Sequence, residues 1–480
     1  MRKVIAKCGL AVACALAGSA SAGQAPGPAT APDVAISHRD RFYTSDQFSN
    51  TVSVIDPADN QLLGVIRLGD PTPGNLSPLY RGQLLVHGMG FSPDHHTLLV
   101  VSVGSNAVTF IDTETNLVKH TTYVGRSPHE AFYAPHGKEV WVTIRGENYV
   151  AVLDPKTYAE RSRIVVPNGP GMTIFSPDGR YGYVCSSFSP ETVVIETASH
   201  RVVGHVKQES PFCPDLAATP DGEQVWLTLK DVGRVMVFGA KPPFAVLKVL
   251  ETGPITNHVN IARNAQGQFA YVTVGGLNEV KVFRTDVFDQ VASIKVGAVP
   301  HGIWPSGDGT RVYVGLENAD AVAVIDTTTN KLMTEIASGQ GAQGVAYVPN
   351  AVKEGTGGPN LEPLGIAGEK VSLWLLAADG RRATVVTLFN QGLVQVLQAA
   401  VTGLAPGQPY VLALTADPKK PSALDPIASF KANPAGAAIV NAVGPIRQLI
   451  QHPSPEARRF LVIASGSARE PGALVQTQAP

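Results

Sequence analysis

PDGRYGYVCSSFSPETVVIE (177–196) and GDGTRVYVGLENADAVAVID (307–326) are two copies of one pattern. Each opens on a tight Pro/Gly/Asp turn, enters an alternating apolar run, crosses a short polar turn and ends in a second apolar run. Alternation at a period of two marks a strand with one face packed. Four more copies share the layout: PDHHTLLVVSVGSNAVTFID from Pro93, PHGKEVWVTIRGENYVAVLD from Pro135, PDGEQVWLTLKDVGRVMVFG from Pro220 and AQGQFAYVTVGGLNEVKVFR from Ala265. A seventh, RFYTSDQFSNTVSVID from Arg41, lacks the strand that precedes the others. Starts at residues 93, 135, 177, 220, 265 and 307 give a period of 42–45 residues. That length holds four short strands, the content of one propeller blade. A blade cannot bury both its faces alone, so the copies must stack around an axis. Seven copies predict a seven-bladed β-propeller over residues 37–349. The run GAQGVAYV (341–348) supplies the inner strand that the first blade lacks, so both ends of the propeller share one blade.

The runs YVTV (271–274), YVCS (183–186) and YVGL (313–316) are followed by an apolar strand and, in places, by IDT or IDP. They resemble the YVTN-type propeller repeats of exported prokaryotic proteins. The resemblance covers residues 41–349 and implies an extracytoplasmic propeller. It does not imply one activity, because that family includes cell-surface, binding and redox proteins.

Outside the repeats, residues 1–22 have the pattern of a secretory signal peptide. Arg2, Lys3 and Lys7 precede a short apolar stretch, and Ala20-Ser21-Ala22 forms the small-residue site, with cleavage expected after Ala22. Residues 23–36 read as a flexible tether. The mature chain is expected to be periplasmic or secreted, and no later segment has the apolar length of a membrane span. Residues 350–362 read as a linker. Beyond them VSLWLL (371–376), ATVVTLF (383–389), LVQVLQAAV (393–401), PYVLAL (409–414) and RRFLVIA (458–464) alternate with DG, APG and NPAG turns. They predict an all-β tail, a small β-sandwich-like domain over 363–480, with an interaction or spacing role.

Composition narrows the function. Hydrophobic residues make up 44% and charged residues 16%, enough apolar material for an ordered core. A net charge of −1 leaves no basic excess to hold a nucleic-acid backbone. Two cysteines remain after the leader, Cys185 and Cys213, and in an oxidising compartment they form a disulfide or stay as two buried thiols. There is no GxSxG elbow, Walker loop, CxxCH or HExxH motif.

The loops leading into the inner strands carry the remaining signal. Four of them place histidine there: LLVHGMGF (His87), RSPHEAFY (His129), ITNHVNIA (His258, displaced by one residue) and AVPHGIWP (His301). Inner strands converge, so these imidazoles are expected to ring the channel mouth. There they hold either hydrogen bonds to neighbouring loops or a transition metal such as copper, zinc or iron. The same face should gather Arg126, Glu130, Arg145, Glu147, Asn148 and Lys230. The insertion 68–82, with Tyr80 and Arg81, reads as a lid or a passive flap. The first functional expectation is a module that binds a small molecule or a protein through the histidine face. The alternative is a metal-dependent oxidoreductase, with Glu130 or Glu147 moving protons and Arg126, Arg145 and Lys230 holding an anionic substrate. His95 and His96 fall on the opposite rim, in turns.

Overall fold

A computed structural model describes residues 35–69, 84–354, 357–391, 394–419 and 423–479. Seven four-stranded antiparallel sheets form the propeller blades. The first blade is closed by both ends of the propeller: Ala342–Val348 pairs with Arg41–Asp46, placing Phe42 opposite Tyr347 and Thr44 opposite Val345. Asp40 secures the seam, accepting from the Tyr347 hydroxyl (2.6 Å) and the Asn350 N–H (2.8 Å). The inner strands of the other blades are Val86–Phe91, Pro128–Tyr133, Pro170–Phe175, Leu216–Ala218, Thr256–Asn264 and Pro300–Pro305.

Burial follows the radius. Pro128–Tyr133 and Pro300–Pro305 are buried along their whole length, because inner strands pack against neighbouring blades on both faces. Outer strands such as Glu160–Val165 and Gln290–Lys295 are largely exposed and charged. Charge on an edge strand discourages pairing with another chain.

One rim of the propeller repeats a single turn. Ser176, Thr219 and Ser306 donate to Asp178, Asp221 and Asp308, and their hydroxyls accept from the N–H of Tyr181, Gln224 and Arg311. Gly179, Gly222 and Gly309 follow at φ near +70°, where a Cβ is disfavoured. His95 occupies this glycine slot in the second blade (φ 66°), so it is a turn residue as its spacing predicts.

Past the propeller, residues 350–362 do not hang free. Glu362 pairs through its backbone with Val65 in the outer strand of the first blade, and its carboxylate meets Arg67 Nε at 2.8 Å. The chain thus climbs the side of the propeller from the turn rim to the histidine rim. There it forms one eight-stranded antiparallel sheet that curls upon itself. Leu375, Val386, Leu388, Leu397, Leu412 and Ile463 fill its interior. Each of the five predicted runs overlaps one of its strands. It is sandwich-like in packing one apolar face on itself, but it is a single, nearly closed sheet.

Within the described residues no helix is long and apolar enough to cross a membrane. Cys185 and Cys213 form a disulfide, linking the second strand of the fourth blade to the segment that leads into the fifth.

Candidate functional site

The histidines reach the axis through a device repeated from blade to blade. Asn50, Asn106 and Asn278 sit in left-handed turns between second and third strands. Their side-chain oxygens accept from the backbone N–H groups of Leu84 and Leu85, of Ser127 and of Val299. Leu85, Ser127 and Val299 also have positive φ, and two residues later the chain places His87, His129 and His301. Ile255 adopts the same conformation ahead of His258. Positive φ is costly for the β-branched Ile255 and Val299, and such strain is held where surrounding contacts over-determine it.

A bulge follows in each of these inner strands, between Val86 and Met89, Pro128 and Ala131, Thr256 and Val259, and Pro300 and Ile303. It lets two consecutive positions face the channel. His258 therefore points inward despite its one-residue displacement. It shares its position with Glu130 and with Asp215, whose part in the site sequence reasoning missed. Threonines from second strands hold this second position: Thr143, Thr228 and Thr273 accept from the N–H of Glu130, Asp215 and His258 at 3.1, 3.1 and 2.8 Å. Glycine at Gly88 permits the close approach, since a Cβ there would lie 2.2 Å from the His129 carbonyl oxygen.

Four imidazoles meet at the mouth. Ring centres are 4.3 Å apart for His87 and His129, 4.5 Å for His258 and His301, and 5.9 Å for His87 and His301. Nδ1 of His129 donates to the Gly171 carbonyl at 2.9 Å. Glu130 Oε1 lies 3.6 Å from His87 Nδ1 and 3.7 Å from His129 Nδ1, and Asp215 Oδ2 lies 3.6 Å from His258 Nδ1. Burial, reinforced by Arg145, lowers the His87 pKa to about 4. Burial also holds His129, His258 and His301 well below the usual histidine value, so all four rings are neutral. The same desolvation drives Glu130 and Asp215 well above the ordinary carboxylate range.

Above the rings lies a cavity of about 420 Å³, and its roof is the C-terminal sheet. From the propeller it is lined by His87, His129, His301, Arg145, Lys230 and Glu317, and from the sheet by Gln398, Lys431, Asn433 and Asn441. The NPAG turn docks on the fifth blade, where the Ala435 N–H donates to the Asp231 carbonyl at 3.0 Å. Thr387 Oγ1 donates to the Asn318 carbonyl, and the Phe48 and Phe389 rings stand 4.5 Å apart. Ile255 and Val299, the strained residues, pack against Val385, Ala400 and Ala437 of the sheet. The tail therefore covers the mouth, a role its spacing and composition did not reveal.

Arg145 and Lys230 lean over the Phe212 ring, at 5.3 and 5.7 Å. Burial lowers the pKa of both and raises that of Glu317, which accepts from Gln343 Nε2 at 2.6 Å. Arg126, Glu147 and Asn148 are not brought to the cavity. Arg126 is 76% exposed and pairs with Glu147 on the outer rim, its N–H donating to Glu147 Oε1 at 2.9 Å. Asn148 is exposed. Of Glu130 and Glu147, Glu130 is the one at the histidines. Tyr80 and Arg81 lie outside the described residues.

No family model matches the chain, and no curated protein matches it. Among solved structures, hydrazine synthase of Kuenenia stuttgartiensis is similar at 19% identity, with 66% of this chain and 99% of that one covered and a TM-score of 0.53. A functionally unknown protein from Desulfotomaculum acetoxidans is similar at 14% identity, with 64% and 98% covered and a TM-score of 0.54. These likenesses show the fold alone.

Proposed function

We propose that this protein is an exported propeller of the YVTN type that binds a small anionic molecule in the roofed cavity at its histidine mouth. The observation that carries the reading is the convergence of Arg145, Lys230 and Lys431 from two parts of the chain on one cavity. Arg145 Nε is buried there without a hydrogen-bond partner. Of the two carboxyl groups beside these cations, Glu317 and Asp231, burial pushes both toward the neutral form. Three cationic side chains against two carboxyl groups leave the lining cationic even with every group ionised, and a volume of about 420 Å³ suits a metabolite-sized ligand rather than a polymer. Phe212 beneath the cations and Ile439 in the roof add apolar contact. A small-molecule ligand is favoured over a protein partner because the sheet stands where a protein would dock.

The test is a thermal-shift and calorimetric screen of mono- and dicarboxylates, inorganic phosphate and phosphate esters against the full chain. At least one class should bind with 1:1 stoichiometry, and Lys230→Gln and Arg145→Gln should each weaken it at least about tenfold, the scale of a charge-assisted hydrogen bond. Binding that survives both substitutions unchanged would refute the reading.

A further inference from the structure

Two of the mouth histidines give Nδ1 to a backbone carbonyl of the neighbouring blade. His129 Nδ1 donates to the Gly171 carbonyl at 2.9 Å, and His301 Nδ1 faces the Gln343 carbonyl at 3.4 Å. His258 Nδ1 lies 3.6 Å from Asp215 and His87 Nδ1 lies 3.6 Å from Glu130, beyond hydrogen-bond reach, and His87 Nδ1 is buried without a hydrogen-bond partner. With Nδ1–H given to a carbonyl, Nε2 of His129 and His301 keeps the lone pair. His258 Nε2 is buried with no partner at all. An acceptor orphaned in the interior carries a desolvation cost that a hydrogen-bonding or coordinating partner removes. Outward Nδ1–H to carbonyl or carboxylate, with Nε2 inward, is how metal-binding histidines are held.

The spacing agrees with a shared ion. At a nitrogen–metal distance of about 2.0–2.1 Å the ring centre stands roughly 3.2 Å from the ion, so two rings on one ion are about 4.5–5.8 Å apart for angles of about 90–130°. The three separations seen, 4.3, 4.5 and 5.9 Å for three of the six ring pairs, lie within about 0.2 Å of that range. Ligand atoms of His87, His129 and Glu130 already lie within 4.8 Å of one another. Glu130 and Asp215 are buried side by side with imidazoles, and among the described residues neither has a lysine or arginine at ion-pair distance.

We propose that His87, His129, His258 and His301 bind one divalent first-row transition-metal ion through Nε2 at the propeller axis, with Glu130 and Asp215 behind the ligands. Neutral imidazoles select cobalt, copper or zinc over magnesium or calcium, which take oxygen ligands. The cavity lies directly above the ring, and His87, His129 and His301 line it. This inference goes beyond the anion-binding reading and does not depend on it.

The experiment titrates the untagged, chelator-stripped full chain with cobalt(II), zinc(II) and copper(II). Calorimetry gives stoichiometry and affinity, and the cobalt(II) ligand-field spectrum reports the donors. One equivalent should bind, with nitrogen-ligand bands and a raised melting temperature. His129→Ala and His258→Ala should each weaken binding at least about 100-fold, and Asp215→Asn about 10–100-fold, as for residues behind a metal ligand. His129→Gln and His258→Gln serve if the alanine variants do not fold, with circular dichroism as the check. His38→Ala, at the exposed His38/Asp56/Asp59 group, should leave binding unchanged. No saturable equivalent in the folded chain would overturn the proposal. So would binding that survives the histidine substitutions or is lost with His38. Anion titrations of the metal-free protein read the cavity separately, so failure of one reading is distinguishable from failure of the other.

Discussion

The two rims of the propeller are built from the same repeat and hold their carboxylates in opposite states. On the turn rim, Asp94 and Asp178 are partly buried, but hydrogen bonds from Ser92 and Ser176 outweigh that cost and keep them below the ordinary range. On the histidine rim, burial dominates. Asp46 is pushed up to about 8 and Asp320 to about 7, and Glu130 and Asp215 are also held well above the ordinary carboxylate range. On the turn rim, Ser and Thr hydroxyls supply the carboxylates with local partners. On the other rim, where histidines enter the inner strands and a roof lies over the mouth, His87 Nδ1, His258 Nε2 and Asp215 Oδ1 are left without partners. Such departures from local consistency are expected at functional sites.

The largest effect that sharpens this contrast is pH. A carboxyl whose folded pKa lies above its unfolded value binds its proton more tightly when folded. Its stabilisation is complete below about pH 4 and is lost as pH rises toward about 8 for Asp46. The loss is about 1.4 kcal/mol per pH unit within that window. Asp46→Asn should therefore flatten the fall in denaturant stability between pH 5 and pH 8, while Asp178→Asn, on the other rim, should leave that fall in place. Equal slopes in all three proteins would break the comparison.

Next comes the disulfide behind the Asp215 loop. Opening a bridge across 28 residues should cost about 3–4 kcal/mol in the chain-entropy picture. Equilibrium unfolding of Cys185→Ser/Cys213→Ser measures it, and a loss under 1 kcal/mol would mean that blade packing alone holds the loop. A smaller effect is expected from Gly88→Ala. Its Cβ would press on the His129 carbonyl and cost about 1–3 kcal/mol by overpacking, spreading the histidines as it does so. Gly222→Ala, on the turn rim, meets only Pro177 at 3.7 Å or more and should cost about 1–2 kcal/mol of backbone strain, with metal and anion binding intact. The smallest effect is His95→Gly. Relief of the left-handed strain should offset the lost contact with Phe91, so the melting temperature should stay within a degree or two of wild type.

Several of these residues were legible without a structure. His87, His129 and His301 follow a repeat whose phase is set locally, by a turn asparagine and a left-handed residue. Their convergence follows from inner strands having nowhere else to go. His258 was visible as a residue type but not as a direction, because a bulge decides which of two neighbours faces the channel. Glu147 and Asn148 sit in the same second-to-third-strand turn as Arg145, and Arg126 lies beside them in the loop entering the inner strand. Yet the second-to-third-strand turn spans the width of a blade, and only its inner end overlooks the cavity. Asp215 carried no signal beyond its place after Cys213-Pro214, since its partner His258 comes from the next blade, 43 residues on.

What the chain determined by itself is everything written in a local period. Strand alternation, turn chemistry and a 42–45-residue repeat suffice for seven blades, and a missing first strand together with a spare last one suffices for closure. What only the tertiary structure decided is the roof. Whether the tail's sheet stands apart or lies on the mouth depends on the fit of Val385, Ala400 and Ala437 to Ile255 and Val299, and on Phe389 meeting Phe48. Those contacts join residues far apart in sequence. Their free energy comes from apolar surface removed from water when two finished parts meet, and no alternation or spacing along the chain encodes which surfaces those are.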